Sequence, residues 1–510
     1  MSGAVTTPHP LATAAGQAVL DKGGTAVEAL IAAGAVLAVV MPHFCGLGGD
    51  AVWLVQDRTG AARCFLAIGQ GIDRPAPDGP IPTRGAQSIL TTAAVVDGWE
   101  HALRDARATM GAQGHWADLL QPAITLAEGG VAVSPSQAFW GRFRDAESAA
   151  WPGFAAVFKA NGQPLAQGHP MRQPALAASL REIAQDGAQA FYHGALSRRI
   201  VDGLRAAGAV ISPQDLAATQ TRTARPLSLA YRGLTLLAPP PPTQGITTLQ
   251  IMGILARFDL RAAGAGSADH LHLVVEAVKQ AFLARGGIAD PAVIPQDTDA
   301  ALAPARLDRM AAAIRPDRAL DWPHRWQHGD TVFLGAMDAA GNAASVLQST
   351  YFDWGSGVVA GDTGILWQNR GAAFRHDPAH PNAFAPGKLP FYTLNPGMAL
   401  RDGRPALVYG TQGADGQPQT LAMLLTRLID FDLSPPVALA APRFLLGQTF
   451  SDSRDSLKLE ADVPAATQAA LRARGHEISP ITAQSPLAGQ AGILRRDPEG
   501  TCAAWHDPRG

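Results

Sequence analysis

Three groups of residues in this chain have side chains or spacings suited to chemistry. Thr331 opens the run Thr-Val-Phe-Leu-Gly-Ala-Met, which reads as a strand. Asp338-Ala-Ala-Gly-Asn342 is a turn, and Ala343 to Thr350 reads as the returning strand. Pairing Met337 with Ala343 sets Thr331 opposite Ser349. Directly opposed side chains have Cβ atoms about 4.5–5.5 Å apart, close enough for two hydroxyls to hydrogen-bond, and a one-residue slip loses this. Taken locally, the same residues favour an ordinary hairpin of β-formers. His324 and His328 are four apart, a spacing that binds metal on a helix. Pro323 and Gly329 argue against a helix there, and no glutamate base follows, so they read as linker histidines. Cys45 has no charged neighbour evident in sequence to lower its pKa, which favours a buried thiol over a nucleophile.

The elements that must position these groups are legible in outline. Thr25 to Val40 predicts a core helix: Thr25 and Glu28 have capping-box spacing, the body is apolar nearly all round, and Pro42 follows its end. Gly46-Leu-Gly-Gly-Asp50 then leads into a strand over Ala51 to Gln56. A dinucleotide fingerprint needs strand, glycines, helix in that order, and here the order is reversed, so the glycines read as a tight turn. Residues 100 to 220 read as mostly helical, including Gln173 to Asp186 and Leu196 to Ala207. His270 to Arg285 is a further helix, and Pro239 to Pro242 is a rigid break. Ala301 to Asp330 reads as an exposed connection. Strands and glycine turns dominate after Thr331, which marks a boundary there.

Composition narrows the function classes. The net charge is −2 and only 16% of residues are charged, so nothing draws nucleic acid or an acidic membrane over long range. The longest apolar run, Ala29 to Met41, falls short of the roughly 20 residues of a membrane span. Cys45, Cys64 and Cys502 form no CxxC pair, which predicts neither a disulfide framework nor a zinc site. With no signal-like start, the expectation is a cytoplasmic protein without a metal or organic cofactor.

Segments spread over nearly the whole chain resemble the γ-glutamyltransferase family of N-terminal-nucleophile hydrolases. They include His9-Pro-Leu-Ala12, Gly46-Leu-Gly-Gly49, Ala190-Phe-Tyr-x-Gly194, Pro240-Pro-Pro-Thr243, Ala441-Pro-Arg-Phe444 and the stretch Thr331 to Asn369. The resemblance implies a proenzyme that cuts itself between Asp330 and Thr331. Residues 1–330 become a large subunit and 331–510 a small one, sharing one core in an α+β, four-layer αββα sandwich. It implies Thr331 as the nucleophile, with the freed α-amine as its base, since a backbone amide nitrogen is not one. Ser349 takes the second hydroxyl, and the backbone N–H groups of Gly413 and Ala414 take the oxyanion hole. Ala414 suits that place unless a positive φ is needed, where alanine is penalised.

The family's reader of glutamate is altered. The expected Arg-Glu pair is missing around Leu66 to Asp73. Arg370 and Ala373 stand where a Gln and an Asp should follow, and Tyr392-Thr393 replaces a Ser-Ser pair. An α-amine has thereby lost its charge partner, while Arg370 can grip a carboxylate bidentately. Trp367 to Gly371, Pro390 to Pro396 and Gly413 to Gln419 look like the oxamate amidohydrolase branch. The expected substrate is a small carboxylate-bearing amide such as oxamate, with Arg370, Asn369, Tyr351, Tyr392, Thr393 and Asp415 lining its site. Arg370 could instead form a structural salt bridge to Asp377 or Asp415, and Asp415 could be structural or hold the Thr331 amine. The alternatives are γ-glutamyl transfer or glutathione hydrolysis, acylase action on bulky amides, and an uncut relative serving as a scaffold.

Overall fold

The computed structural model describes residues 3–322, 329–449, 452–497 and 499–510. His324 and His328 lie outside the described residues. Alternating apolar segments form two six-stranded antiparallel sheets. The first runs Ala4–Thr6, Asp330–Met337, Ala343–Tyr351, Asp50–Gln56, Ala62–Ala67, Arg222–Ala224. The second runs Cys502–His506, Ala491–Arg496, Arg404–Thr411, Gly397–Arg401, Leu234–Ala238, Leu227–Tyr231. Both sheets draw strands from either side of residue 330, so that boundary is not a division in space.

The sheets pack face to face. Val52, Leu54, Leu66, Phe333, Met337 and Leu347 of the first share one buried cluster with Leu237, Met398, Leu400, Val408 and Leu494 of the second. Gly410 lets the Phe333 ring lie against the second sheet: a Cβ there would fall 2.2 Å from it. Truncating so tightly packed a ring costs about 3–5 kcal/mol. Helices cover both outer faces, giving the αββα sandwich. Ala26–Val40 packs on the first sheet, and Gly245–Leu255, Ala268–Leu283 and Gln417–Leu425 pack on the second. The Ala26–Val40 helix is buried along its whole length and carries the expected capping box, with Thr25 N–H donating to the Glu28 carboxylate at 2.7 Å. Among the described residues no helix is long and apolar enough to cross a membrane.

One expectation is corrected. The stretch read as an exposed connection contains the helices Thr298–Leu302 and Pro304–Ala312. Asp297 caps the first by accepting from Ala300 N–H at 2.8 Å. Leu307 and Ala311 form a narrow apolar stripe that packs against the outer helices. The arginines between them hid that stripe from a reading by composition.

Candidate active site

The hairpin has the expected register from Val332 opposite Gln348 to Met337 opposite Ala343. At its open end it departs. Asp330 faces Tyr351, so Ser349 and Thr350 together stand opposite Thr331, a β-bulge whose extra residue lies on the returning strand. Bulges re-aim a backbone and leave the extra residue unpaired. Thr331 is buried and Ser349 does not meet it in a regular pair. Ser349 donates its hydroxyl to the carbonyl oxygen of Asp330 at 2.5 Å and accepts Tyr351 N–H at 2.8 Å. That carbonyl belongs to the Asp330–Thr331 peptide bond. Tyr351 is held at φ +84, a strained conformation for a side chain of its size.

The Asp330 carboxyl lies near a charged cluster. Asp353 accepts from Arg84 at 2.9 Å and from Arg144 at 2.9 and 3.0 Å. Burial first, then the Asp353 carboxylate, pushes the Asp330 carboxyl up to about 8, against the pull of the two arginines. It is therefore mostly protonated at neutral pH.

The turn after strand Arg404–Thr411 closes over the same spot. A Cβ built on Gly329 would lie 3.2 Å from the Ala414 methyl and 3.3 Å from the Tyr351 ring. Gly413 has φ +116 and Ala414 φ +43. Ala414 thus occupies the left-handed region that penalises alanine by about 1–2 kcal/mol. Among the described residues the N–H groups of Gly413 and Ala414 donate to no backbone carbonyl. The Gln244 side-chain amide clamps this turn to the neighbouring segment, donating to Thr393 O at 2.6 Å and Ala414 O at 2.8 Å.

Arg370 forms the other wall. Its guanidinium carbon lies 3.8 Å from the centre of the Tyr351 ring and 4.2 Å from that of Tyr392. It is buried, and among the described residues its Nε and Nη1 have no hydrogen-bond partner. Neither proposed salt-bridge partner takes it. Asp415 pairs with Arg285, and the Asp377 carboxylate accepts Ala379 N–H at 2.9 Å. The Tyr392 hydroxyl donates to Asp50 at 2.5 Å. Asn369 is committed to backbone, donating to Thr83 O at 2.6 Å and accepting Phe352 N–H at 3.1 Å. Gln368 donates to Thr92 O at 2.5 Å.

Among the described residues, the group with metal-ligand character is His272, Glu276 and His476, far from Thr331 in the fold. His272 and His476 hydrogen-bond each other at 2.8 Å, and Lys279 pairs with Glu276 at 2.9 Å. With Glu276 already paired to an ammonium and the two imidazoles bonded to each other, the group reads as a structural network. Cys45 is buried, which pushes its thiol far above the usual range, as suits a structural residue.

A family model for gamma-glutamyltranspeptidase matches residues 12–510. The chain is 43% identical to the oxamate amidohydrolase proenzyme of Klebsiella pneumoniae, over 99% of this chain and 97% of that protein. It is 37% identical to a glutathione hydrolase-like proenzyme of Bacillus subtilis, with the same coverage. The crystal structure of a cephalosporin acylase from Bacillus halodurans superposes with a TM-score of 0.91 at 30% identity, covering 100% of this chain and 94% of that one. The chain belongs to the γ-glutamyltranspeptidase family.

As a member of that family it is a hydrolase of C–N amide bonds. Within this γ-glutamyltranspeptidase fold, Ser349 and Tyr351 contact or pair with Asp330, Ala414 lies beside Gly329, Arg370 stacks on Tyr351 and Tyr392, and Gln244 ties Thr393 to Ala414, next to Gly413. The residues missed by sequence reasoning are Asp50, Gln244, Arg285 and the Arg84–Asp353 pair. Two left a trace: Asp50 is an acid at the head of an apolar strand, and Gln244 follows the Pro240-Pro-Pro-Thr243 motif.

Proposed function

We propose that this chain cuts itself between Asp330 and Thr331, and that the freed Thr331 hydrolyses a small carboxylate-bearing amide, such as oxamate, to oxalate and ammonia. The observation that carries the substrate class is Arg370. A guanidinium sandwiched between two aromatic rings has only its edge for hydrogen bonds, and a planar carboxylate meets that edge bidentately. Arg370 stacks on Tyr351, which pairs with Asp330 next to Thr331, and this neighbourhood suits an amide adjacent to its carboxylate. The 43% identity to an oxamate amidohydrolase proenzyme supports the same reading.

For the first cut, Thr331 Oγ1 adds to the Asp330 carbonyl carbon, which Ser349 polarises through its 2.5 Å hydrogen bond. The C–N bond breaks, an ester forms, and water releases Asp330 as a carboxylate. The new α-amine has a reference pKa of about 7.7–8.0 and accepts the Thr331 hydroxyl proton near neutral pH. In turnover Thr331 Oγ1 adds to the substrate amide carbon, the amine passes its proton to the leaving nitrogen, and ammonia departs. Water then cleaves the acyl ester. The N–H groups of Gly413 and Ala414 would take the oxyanion, a role worth about 10²–10³ in rate per donor. Tyr351 and Tyr392 hold Arg370, Thr393 and Asn369 shape the wall through backbone contacts, and Asp415 is a structural partner of Arg285. The two fragments stay together because each sheet contains strands of both.

Intact-mass measurement of the purified protein tests the cut. Fragments of residues 1–330 and 331–510 are expected, absent in Thr331→Ala and slowed at least tenfold in Ser349→Ala. An uncut wild-type chain after long incubation would overturn the mechanism. Ammonia release from oxamate, against glutamate release from glutathione, then tests the substrate.

A further inference from the structure

Asp50 is a buried acid with no arginine or lysine in ion-pair contact among the described residues. It heads the strand Asp50–Gln56, directly opposite Ser349 in the first sheet. One carboxylate oxygen accepts Gly69 N–H at 2.9 Å and Ala94 N–H at 3.0 Å. The other accepts the Tyr392 hydroxyl at 2.5 Å. The Arg370 guanidinium lies over that same tyrosine ring, 4.2 Å from its centre. Tyr392 thus touches the carboxylate at its hydroxyl and the guanidinium at its ring face, and among the described residues no ion pair joins the two charges. Among the described residues no carboxylate forms an ion pair with the guanidinium, and its Nε and Nη1 lack partners.

This arrangement has a consequence for anion binding. A guanidinium keeps its charge, and burying it alone costs several kcal/mol. A carboxylate in direct contact would relieve that cost but would also occupy the edge that a ligand needs. A carboxylate one ring away supplies the counter-charge and leaves the edge open. It also repels any carboxylate that binds there, because Coulomb energy reaches across a ring in a low-dielectric interior.

We propose that Asp50 is the positioning counter-charge of the Arg370 receptor, acting through Tyr392, and that it holds carboxylate binding weak enough for an anionic product to leave. The proposal rests on the reading of Arg370 as the carboxylate-binding residue. A merely structural Asp50 predicts the opposite sign, since damaging the pocket weakens binding.

The probe is oxalate, titrated calorimetrically into the processed wild-type enzyme and Asp50→Asn. Asp50→Asn should bind oxalate more tightly, by roughly three- to thirtyfold, the range for one unit charge acting across about one ring at intermediate dielectric. The KM for oxamate should fall with it, and kcat should fall where product release limits turnover. Equal or weaker binding in Asp50→Asn overturns the proposal.

The wild type provides an arm that needs no substitution. Burial pushes the Asp50 carboxyl up to about 6, with the Tyr392 hydrogen bond and the Arg370 charge holding it down. Protonation removes the repelling charge, so oxalate affinity should rise as pH falls through about 6. The charged and titratable groups around Asp50 are Arg370 and Tyr392, with Tyr192 behind them. The Thr331 amine titrates above this window. The step near pH 6 should vanish in Asp50→Asn, and a wild type without it counts against the proposal even if the variant fails to fold. A wild type that binds oxalate but does not hydrolyse oxamate refutes the substrate alone. A wild type that binds no oxalate at any pH refutes the receptor and this proposal together.

Discussion

Arg443 and Arg509 are as deeply buried as Arg370, yet their surroundings are built differently. Arg443 meets Asp507 at 2.5 Å, and Arg509 meets Glu460 at 2.6 Å and Asp507 at 3.1 Å. Apart from Arg443 Nε, which has no partner among the described residues, their guanidinium nitrogens also reach carbonyls of Leu439, Ala441 and Gly489. Each charge there has an opposite charge in contact, and most of the donors point at fixed acceptors. Arg370 has two aromatic faces, unpartnered nitrogens and a counter-charge one ring away. A buried charge without a contacting partner is costly unless something else supplies the partner. The first pattern ties strands and loops together; the second leaves a place for a ligand.

The comparison can be broken most severely at Arg443. Arg443→Ala leaves Asp507 short of a partner and should destabilise the protein by about 3–5 kcal/mol, read by chemical denaturation. A wild-type denaturation curve combined with lost turnover would invert the two patterns. Arg370→Met should do the reverse. Its kcat/KM for oxamate should drop by about 10²–10³, as for loss of a buried carboxylate partner. Its stability should match or exceed the wild type, because an unpaired buried charge has been removed. A stability loss comparable to that of Arg443→Ala would make Arg370 a structural ion.

Arg285 and Asp415 are the intermediate case, a paired guanidinium bordering the site. Asp415→Asn removes a charge-assisted hydrogen bond worth about 1.5–3 kcal/mol, so stability and turnover should fall together. Turnover lost at unchanged stability would instead place Asp415 on the Thr331 amine. The smallest effect belongs to Ala414→Gly. Relief of the φ of +43 should stabilise by about 0.5–1 kcal/mol with the rate kept or raised. A clear loss of rate would show that the alanine methyl, in contact range of the Gly329 backbone, shapes the pocket.

The parts of this molecule legible in its sequence are those governed by short-range rules. The Ala26–Val40 helix followed from an apolar run and a capping box, both set within four residues. The hairpin register from Val332 to Met337 followed from one turn and period-two side chains. Arg370, Tyr351 and Tyr392 were named by their places in matched motifs, which say nothing of stacking. Arg443 also lay in a matched motif and is an ion-pair residue, so a motif match by itself did not separate the two roles.

The tertiary structure decided the rest. The bulge at Ser349 and Thr350, opposite Thr331, arises beside the strained Tyr351, so hairpin pairing rules stop one residue short of the nucleophile. The cost at Ala414 depends on a φ that the fold imposes and a sequence does not display. Asp50 reaches Tyr392 across 342 residues, Gln244 reaches Ala414 across 170, and Arg285 reaches Asp415 across 130. No local propensity relates such positions. Their distance is set by how two sheets pack face to face, which is a property of the whole core.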